Sequence, residues 1–241
     1  MNRVILLNLL VSDFDDTLFF QNDMEQTKKN FLACREFMKH NTFVIATGRS
    51  FLDLKKDINF MPNYLVINHG ATIIKDGIVL YNKTINTSIL HEIKDKLYLN
   101  KANSYFGCYG IENCSYDDIV ELTKLHINYD CLSDSHQIYE YLNNNYSDSL
   151  NVFYSNKGFS IEIVDKEVSK SHAIKLIASS MGLDKSSIYV IGDSYTDITM
   201  IADFNGYAVP NAKAKVKEVA SKIYPSVEIL IEDILRGDTH E

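Results

Sequence analysis

The chain has 241 residues, 46% of them hydrophobic and 23% charged, enough to bury a sizeable core in one domain that carries an insertion. Its formal charge of -8 leaves no general basic surface, which argues against nucleic acid as a partner and leaves any anionic ligand to be met by a few local cations. No apolar run reaches the length of a membrane span, no leader pattern is present, and the four cysteines form no CxxC pair, so a cytoplasmic protein with reduced thiols is expected.

Residues 4–11 read as a buried strand that runs into Asp13-Phe14-Asp15-Asp16-Thr17 and so delivers two alternate acids at a strand end. A helix over 25–40 and a strand over 42–46 complete a β-α-β unit. A helix over 51–58 and a strand over 64–67 carry the alternation to Asn68-His69-Gly70. This rhythm predicts an α/β fold with a doubly wound, mostly parallel sheet. It stops at Asp76-Gly77, a hairpin signal between apolar runs at 72–74 and 78–81.

Residues 84–165 are rich in Asn, Tyr and Ser, with helices expected over 88–99, 116–126 and 135–145 and strands over 105–109, 150–154 and 159–164. The alternation then resumes. An amphipathic helix over 169–181 is stopped by Gly182, a strand over 188–191 runs into Gly192-Asp193, and a helix near 197–202, a strand over 206–209 and a helix over 212–221 follow. The organisation expected is a core formed by 1–83 and 166–241, interrupted by an α+β module over 84–165.

An acid at one strand end, a hydroxyl at the next, a lysine at a helix start and two acids after a later strand fit phosphoryl transfer through an aspartyl phosphate. Asp13 is the candidate nucleophile, and Asp15 the acid that protonates the leaving oxygen and later activates water. Carboxylate and phosphate repel, so a divalent cation must lie between them. A Mg²⁺ site would draw on Asp13, Asp193 and the Asp15 backbone carbonyl, with Asp197 either binding the metal or holding one of its waters. Thr47 and the amide of Gly48 are placed to receive phosphoryl oxygens, and Lys170 supplies positive charge.

Asp13-Phe14-Asp15-Asp16-Thr17, Ala46-Thr47-Gly48-Arg49, Val168-Ser169-Lys170 and Gly192-Asp193-Ser194-Tyr195-Thr196-Asp197 resemble, in that order and across nearly the whole chain, the four motifs of the haloacid dehalogenase (HAD) superfamily. The inserted module, Ile67-Asn68-His69-Gly70-Ala71 and Val209-Pro210-Asn211-Ala212 are similar to the Cof-type subfamily with a class-two cap of type B. The resemblance implies a Rossmann-like core under a cap and a Mg²⁺-dependent phosphatase of a small phosphorylated metabolite, a sugar phosphate first among them. Within it, Asp15 separates phosphatases from dehalogenases. Asp16 stands where Gly is commonest, leaving its backbone amide for phosphate, and Thr196 stands where Asn is commonest.

Other residues keep two readings. Arg49 either steers an anionic substrate or sits in an ion pair, and His69 either reaches the cleft or hydrogen-bonds in the core. Asn211, near the rim, is expected to cap a helix beginning at Ala212. Tyr105, Phe106 and Tyr109 are expected in the core of the cap, and Cys108, Cys114, His126 and Cys131 are too irregularly spaced for zinc. A phosphomutase and a catalytically idle phosphometabolite-binding protein are the rival functions, and no motif sets an oligomeric state.

Overall fold

The computed structural model describes residues 7–99, 102–114 and 121–239. Its first half-core contains β1 (Leu9–Ser12), α1 (Met24–Phe37), β2 (Thr42–Ala46), α2 (Phe51–Leu54), β3 (Tyr64–Ile67), β4 (Thr72–Lys75) and β5 (Ile78–Asn82). The intervening segment forms α3 (Thr87–Leu99), β6 (Ser104–Tyr109), β7 (Glu112–Cys114), β8 (Lys124–Asn128), α4 (Leu132–Tyr146), β9 (Leu150–Ser155) and β10 (Ser160–Asp165). The chain then returns through α5 (Lys170–Met181), β11 (Ile188–Gly192), α6 (Ile198–Phe204), β12 (Tyr207–Ala208), α7 (Ala214–Val219), β13 (Lys222–Ile223) and α8 (Val227–Arg236).

One sheet has eight strands in the order β13-β12-β11-β1-β2-β3-β4-β5. It is parallel from β13 to β3 and antiparallel at β4 and β5. Every residue of β1, β2, β3 and β11 is buried, as expected of strands covered by helices on both faces. The chain winds outward from β1 to β3 on one side and from β11 to β13 on the other. The switch point therefore lies at the carboxyl end of β1, where open α/β sheets leave a crevice.

The second sheet has five antiparallel strands, β7-β6-β8-β10-β9. Alternation gives it two unlike faces. Leu125 and Ile127 of β8 with Ile161 and Ile163 of β10 join Ile138 and Leu142 of α4 in a separate apolar core. Lys124, His126 and Glu162 point the other way, toward the end of β1.

Several expectations are corrected. Residues 4–6 of the first expected strand, and 116–120 of the helix expected over 116–126, lie outside the described residues. The last part of that helix is strand β8, because Lys124-Leu125-His126-Ile127-Asn128 alternates with period two and pairs with β6 and β10. The helix expected from Ala212 begins at Ala214 after Lys213, so Asn211 caps nothing. The short strands β7 and β13 and the helix α8 were not anticipated. Helix α8 buries Val227, Leu230, Ile231 and Ile234, with Ser226 Oγ accepting from Ile229 N as its cap.

Candidate active site

β1 ends with the Asp13 amide donating to the Ile191 carbonyl at 3.0 Å, which fixes the start of the acidic turn against β11. Asp13 is buried, and Lys170, the first residue of α5, donates to its Oδ1 at 2.5 Å and to Asp197 Oδ1 at 2.6 Å. Gly70 is needed for this approach: its φ is +109°, and a Cβ there would fall 2.4 Å from the Ser169 carbonyl oxygen.

After β11, Asp197 folds back over its own loop. Its Oδ2 accepts from the backbone amides of Asp193 and Ser194 at 3.1 and 2.9 Å and from the Ser194 hydroxyl at 2.9 Å. Among the described residues, the Asp193 carboxylate accepts from the Thr17 hydroxyl at 3.3 Å. Asp13, Asp193 and Asp197 each bring a carboxylate oxygen within 4.8 Å of the others, and all three are buried.

Three acids therefore share one ammonium. Burial pushes Asp13 well above the ordinary carboxylate value, with Lys170 opposing and the neighbouring acids adding. Burial and Asp197 likewise lift Asp193 to about 6. For Lys170 burial works in the opposite direction, yet Asp13 and Asp197 outweigh it and hold the lysine above its usual value. The excess of buried negative charge, and oxygen-only donors with Asp197 already engaged, fit a hard divalent cation at Asp13 and Asp193.

The second motif forms the turn beside them. Thr47 N donates to Val66 O at 2.8 Å, and Arg49 N donates to the Thr47 hydroxyl oxygen at 3.1 Å. That leaves the hydroxyl proton of Thr47 to serve as a donor. Arg49 lines the cavity and is bonded: Nε and Nη2 reach the two Asp15 oxygens at 2.9 and 2.5 Å, and Nη1 reaches Asp57 at 2.5 Å. The Phe14 and Phe19 rings lie 5.1 and 5.7 Å from its guanidinium carbon. Asp15, the candidate acid/base, is thus held by Arg49 in a two-pronged pair.

One expected contact differs, and His69 takes the second of its two readings, hydrogen-bonding in the core. The Asp16 amide donates to the Phe19 carbonyl at 2.9 Å, so it is not available to phosphate; the residue has φ +57°, the left-handed region glycine favours, and Asn211 Nδ2 holds its carbonyl at 2.7 Å. His69 does not line the cavity. Its Nε2 lies 2.6 Å from Glu162 Oε2 and its ring stacks on Phe153.

The cavity holds about 520 Å³, and its roof is the polar face of the second sheet: Lys124, His126, Glu162, Tyr154 and Phe106. Phe106 stacks on His126 with centroids 4.7 Å apart, so it faces the cavity and not the apolar core, whereas Tyr105 packs against that core and Tyr109 is exposed. Glu162 is the hub, accepting from Lys124 at 2.9 Å and lying 3.0 Å from His126 Nδ1. Burial alone would raise Glu162; the Lys124 ammonium and the hydrogen bonds reverse this and hold it well below the usual carboxylate value. Burial also lowers His69, with Glu162 opposing, and since a carboxylate only accepts, the Nε2 that lies against Glu162 is the donor. Lys124 and Glu162 went unnoticed in the sequence, where only the period-two pattern of their strands marked them as sharing a face with His126.

A core with buried acids at its switch point, under a roof inserted between its strands, defines a capped, doubly wound α/β protein. The chain belongs to the haloacid dehalogenase-like hydrolase family, whose model matches residues 10–130 and 109–229. A structure described as a HAD/COF-like hydrolase, from Plasmodium vivax, superposes with a TM-score of 0.81 at 23% identity, covering 95% of this chain and 96% of that one. An uncharacterized protein of Mycoplasma capricolum is 28% identical over 230 residues, 81% of this chain and 87% of its own. A phosphoglycolate phosphatase of Archaeoglobus fulgidus is 44% identical over 71 residues, 29% of this chain and 31% of its own. Among the described residues no helix is long and apolar enough to cross a membrane.

Proposed function

We propose that the protein is a Mg²⁺-dependent phosphatase of a small phosphorylated metabolite, acting through a phosphoryl group carried on Asp13. The observation that carries this reading is the placement of a buried carboxylate, bonded to Lys170, at the switch point beside Thr47 and Gly48. Asp13 and Asp193 would hold the ion with the Asp15 carbonyl, and Asp197, its oxygens taken, would orient the Asp193 loop. Bound there, magnesium would neutralise the repulsion between nucleophile and phosphate.

In the first step Asp13 attacks phosphorus while Thr47, the Gly48 amide and Lys170 receive the phosphoryl oxygens. Asp15 protonates the departing oxygen, then takes a proton from the water that cleaves the aspartyl phosphate. To do so it must leave Arg49 and take up a proton from solvent, which the later activation of water restores, and an incoming phosphate is the anion able to draw that guanidinium away. The roof excludes water and meets the leaving group.

Its mixture of donors, acceptors and an aromatic ring suits a hydroxyl-rich leaving group, which supports a sugar phosphate as substrate. A second reading is a carboxylate-bearing ester, favoured by the phosphoglycolate phosphatase relative and by the exposed Lys157 at the cavity edge. A phosphate-release assay over hexose phosphates, phosphoglycolate, nucleotides and pyridoxal phosphate, with and without Mg²⁺, tests both and separates hydrolysis from a mutase, which would release isomer and little phosphate. Asp13→Asn should remain folded and lose activity by about 10³-fold or more; substantial turnover in the folded variant removes Asp13 as nucleophile.

A further inference from the structure

Lys124 is a fully buried lysine that no step above uses. It belongs to the roof, yet its Nζ crosses to the core and donates to the Gly48 carbonyl at 2.7 Å. That carbonyl and the Arg49 N–H are the two ends of one peptide group, and the N–H end donates to the Thr47 hydroxyl oxygen at 3.1 Å. A cation on the carbonyl polarises the peptide and strengthens its N–H as a donor. The hydroxyl oxygen of Thr47 is then engaged as an acceptor, and its proton is directed outward into the cavity.

The same turn is held on its other side. His69 N donates to the Thr47 carbonyl at 3.0 Å, Asn68 N donates to the Arg49 carbonyl at 3.0 Å, and the His69 ring fills the space where a Gly48 Cβ would sit, 2.4 Å from Cε1. His69 and Lys124 converge on Glu162, so roof and turn are parts of one buried network.

We propose that Lys124 is a cap-borne positioning residue for phosphate: through the Gly48–Arg49 peptide it orients the Thr47 hydroxyl, so that the phosphate-binding turn is complete only while the roof is seated on it. This rests on the phosphatase reading.

Inorganic phosphate, the product, is the probe because it is too small to need the roof's contacts to a leaving group. Its inhibition constant and the KM and kcat for the best ester are measured with Mg²⁺ for the parent, Lys124→Arg, Thr47→Val, and Lys124→Met/Glu162→Gln, the last removing both buried charges together so that the protein folds. The expected result is about 10-fold to 100-fold weaker phosphate inhibition in the double variant, a matching rise in KM, partial recovery in Lys124→Arg, and a less than additive loss when Thr47→Val is added. A folded double variant that binds phosphate like the parent, or a fully additive loss with Thr47→Val, overturns the proposal and leaves the phosphatase reading standing. A parent that neither binds phosphate nor hydrolyses any ester overturns both.

Discussion

The floor and the roof of the cavity are both buried and charged, and they are balanced in opposite ways. On the floor three buried carboxylates cluster, and Lys170 bonds two of them, Asp13 and Asp197, leaving Asp193 without a cationic partner among the described residues. On the roof a single carboxylate, Glu162, is shared by Lys124, His69 and His126. Unpaired buried charge costs several kcal/mol, so the floor is balanced only with protons or a cation added, while the roof's Lys124–Glu162 charges are already paired. One surface is made to receive something, the other to keep its shape.

That contrast breaks most visibly if an acid is removed from each side. Glu162→Ala leaves Lys124 buried without its carboxylate and should destabilise the protein by about 3–5 kcal/mol in urea unfolding. Asp193→Asn removes surplus charge instead, so the metal-free protein should be no less stable than the parent while its stabilisation by Mg²⁺ disappears. Equal destabilisation by the two would mean that floor and roof do not differ.

The pH dependence sharpens the same point. Asp193 holds its proton up to about 6 in the folded chain against an unfolded value of 3.8, so its contribution is fully present below pH 4 and is lost as pH rises through 6, up to about 3 kcal/mol in all. Magnesium favours the carboxylate and acts in the opposite sense. The rise in melting temperature on adding Mg²⁺ should therefore be larger at pH 7.5 than at pH 5, and Asp193→Asn should flatten the difference. The smallest effect is expected at the cavity edge: Arg49→Met breaks part-exposed ion pairs to Asp15 and Asp57 and should cost less than about 1 kcal/mol of stability, whatever it does to turnover.

Most of the floor was legible in the sequence because its residues stand directly after a buried apolar strand or open a helix, as Asp13, Thr47, Asp193 and Lys170 do. The roof was not. Lys124 and Glu162 are ordinary charged residues on alternating strands, and they meet only through the register that sets Glu162 opposite His126 and Ile163 opposite Leu125. The helix expected over 116–126 obscured this, since Leu122 and Leu125 also fit a helical spacing, and the alternation of β8 becomes decisive only once Ile127 is included. Helix α8 had a readable signal, Ser226 before apolar residues at 227, 230, 231 and 234. The Asp16 amide was lost for a different reason, because a turn's internal hydrogen bonds depend on dihedral angles that residue identity does not set.

The strand that carries Asp13 lies between β2, its neighbour in the chain, and β11, whose residues come about three-quarters of the way along it. Asp13 is made before the cap, but the strand that pins its amide, the lysine that holds its carboxylate and the acid proposed beside it as a metal ligand all follow the entire cap. A nascent chain cannot possess this floor until β11 has been made, and β1 must wait until then with one edge open, which makes early pairing of that edge the step most exposed to error.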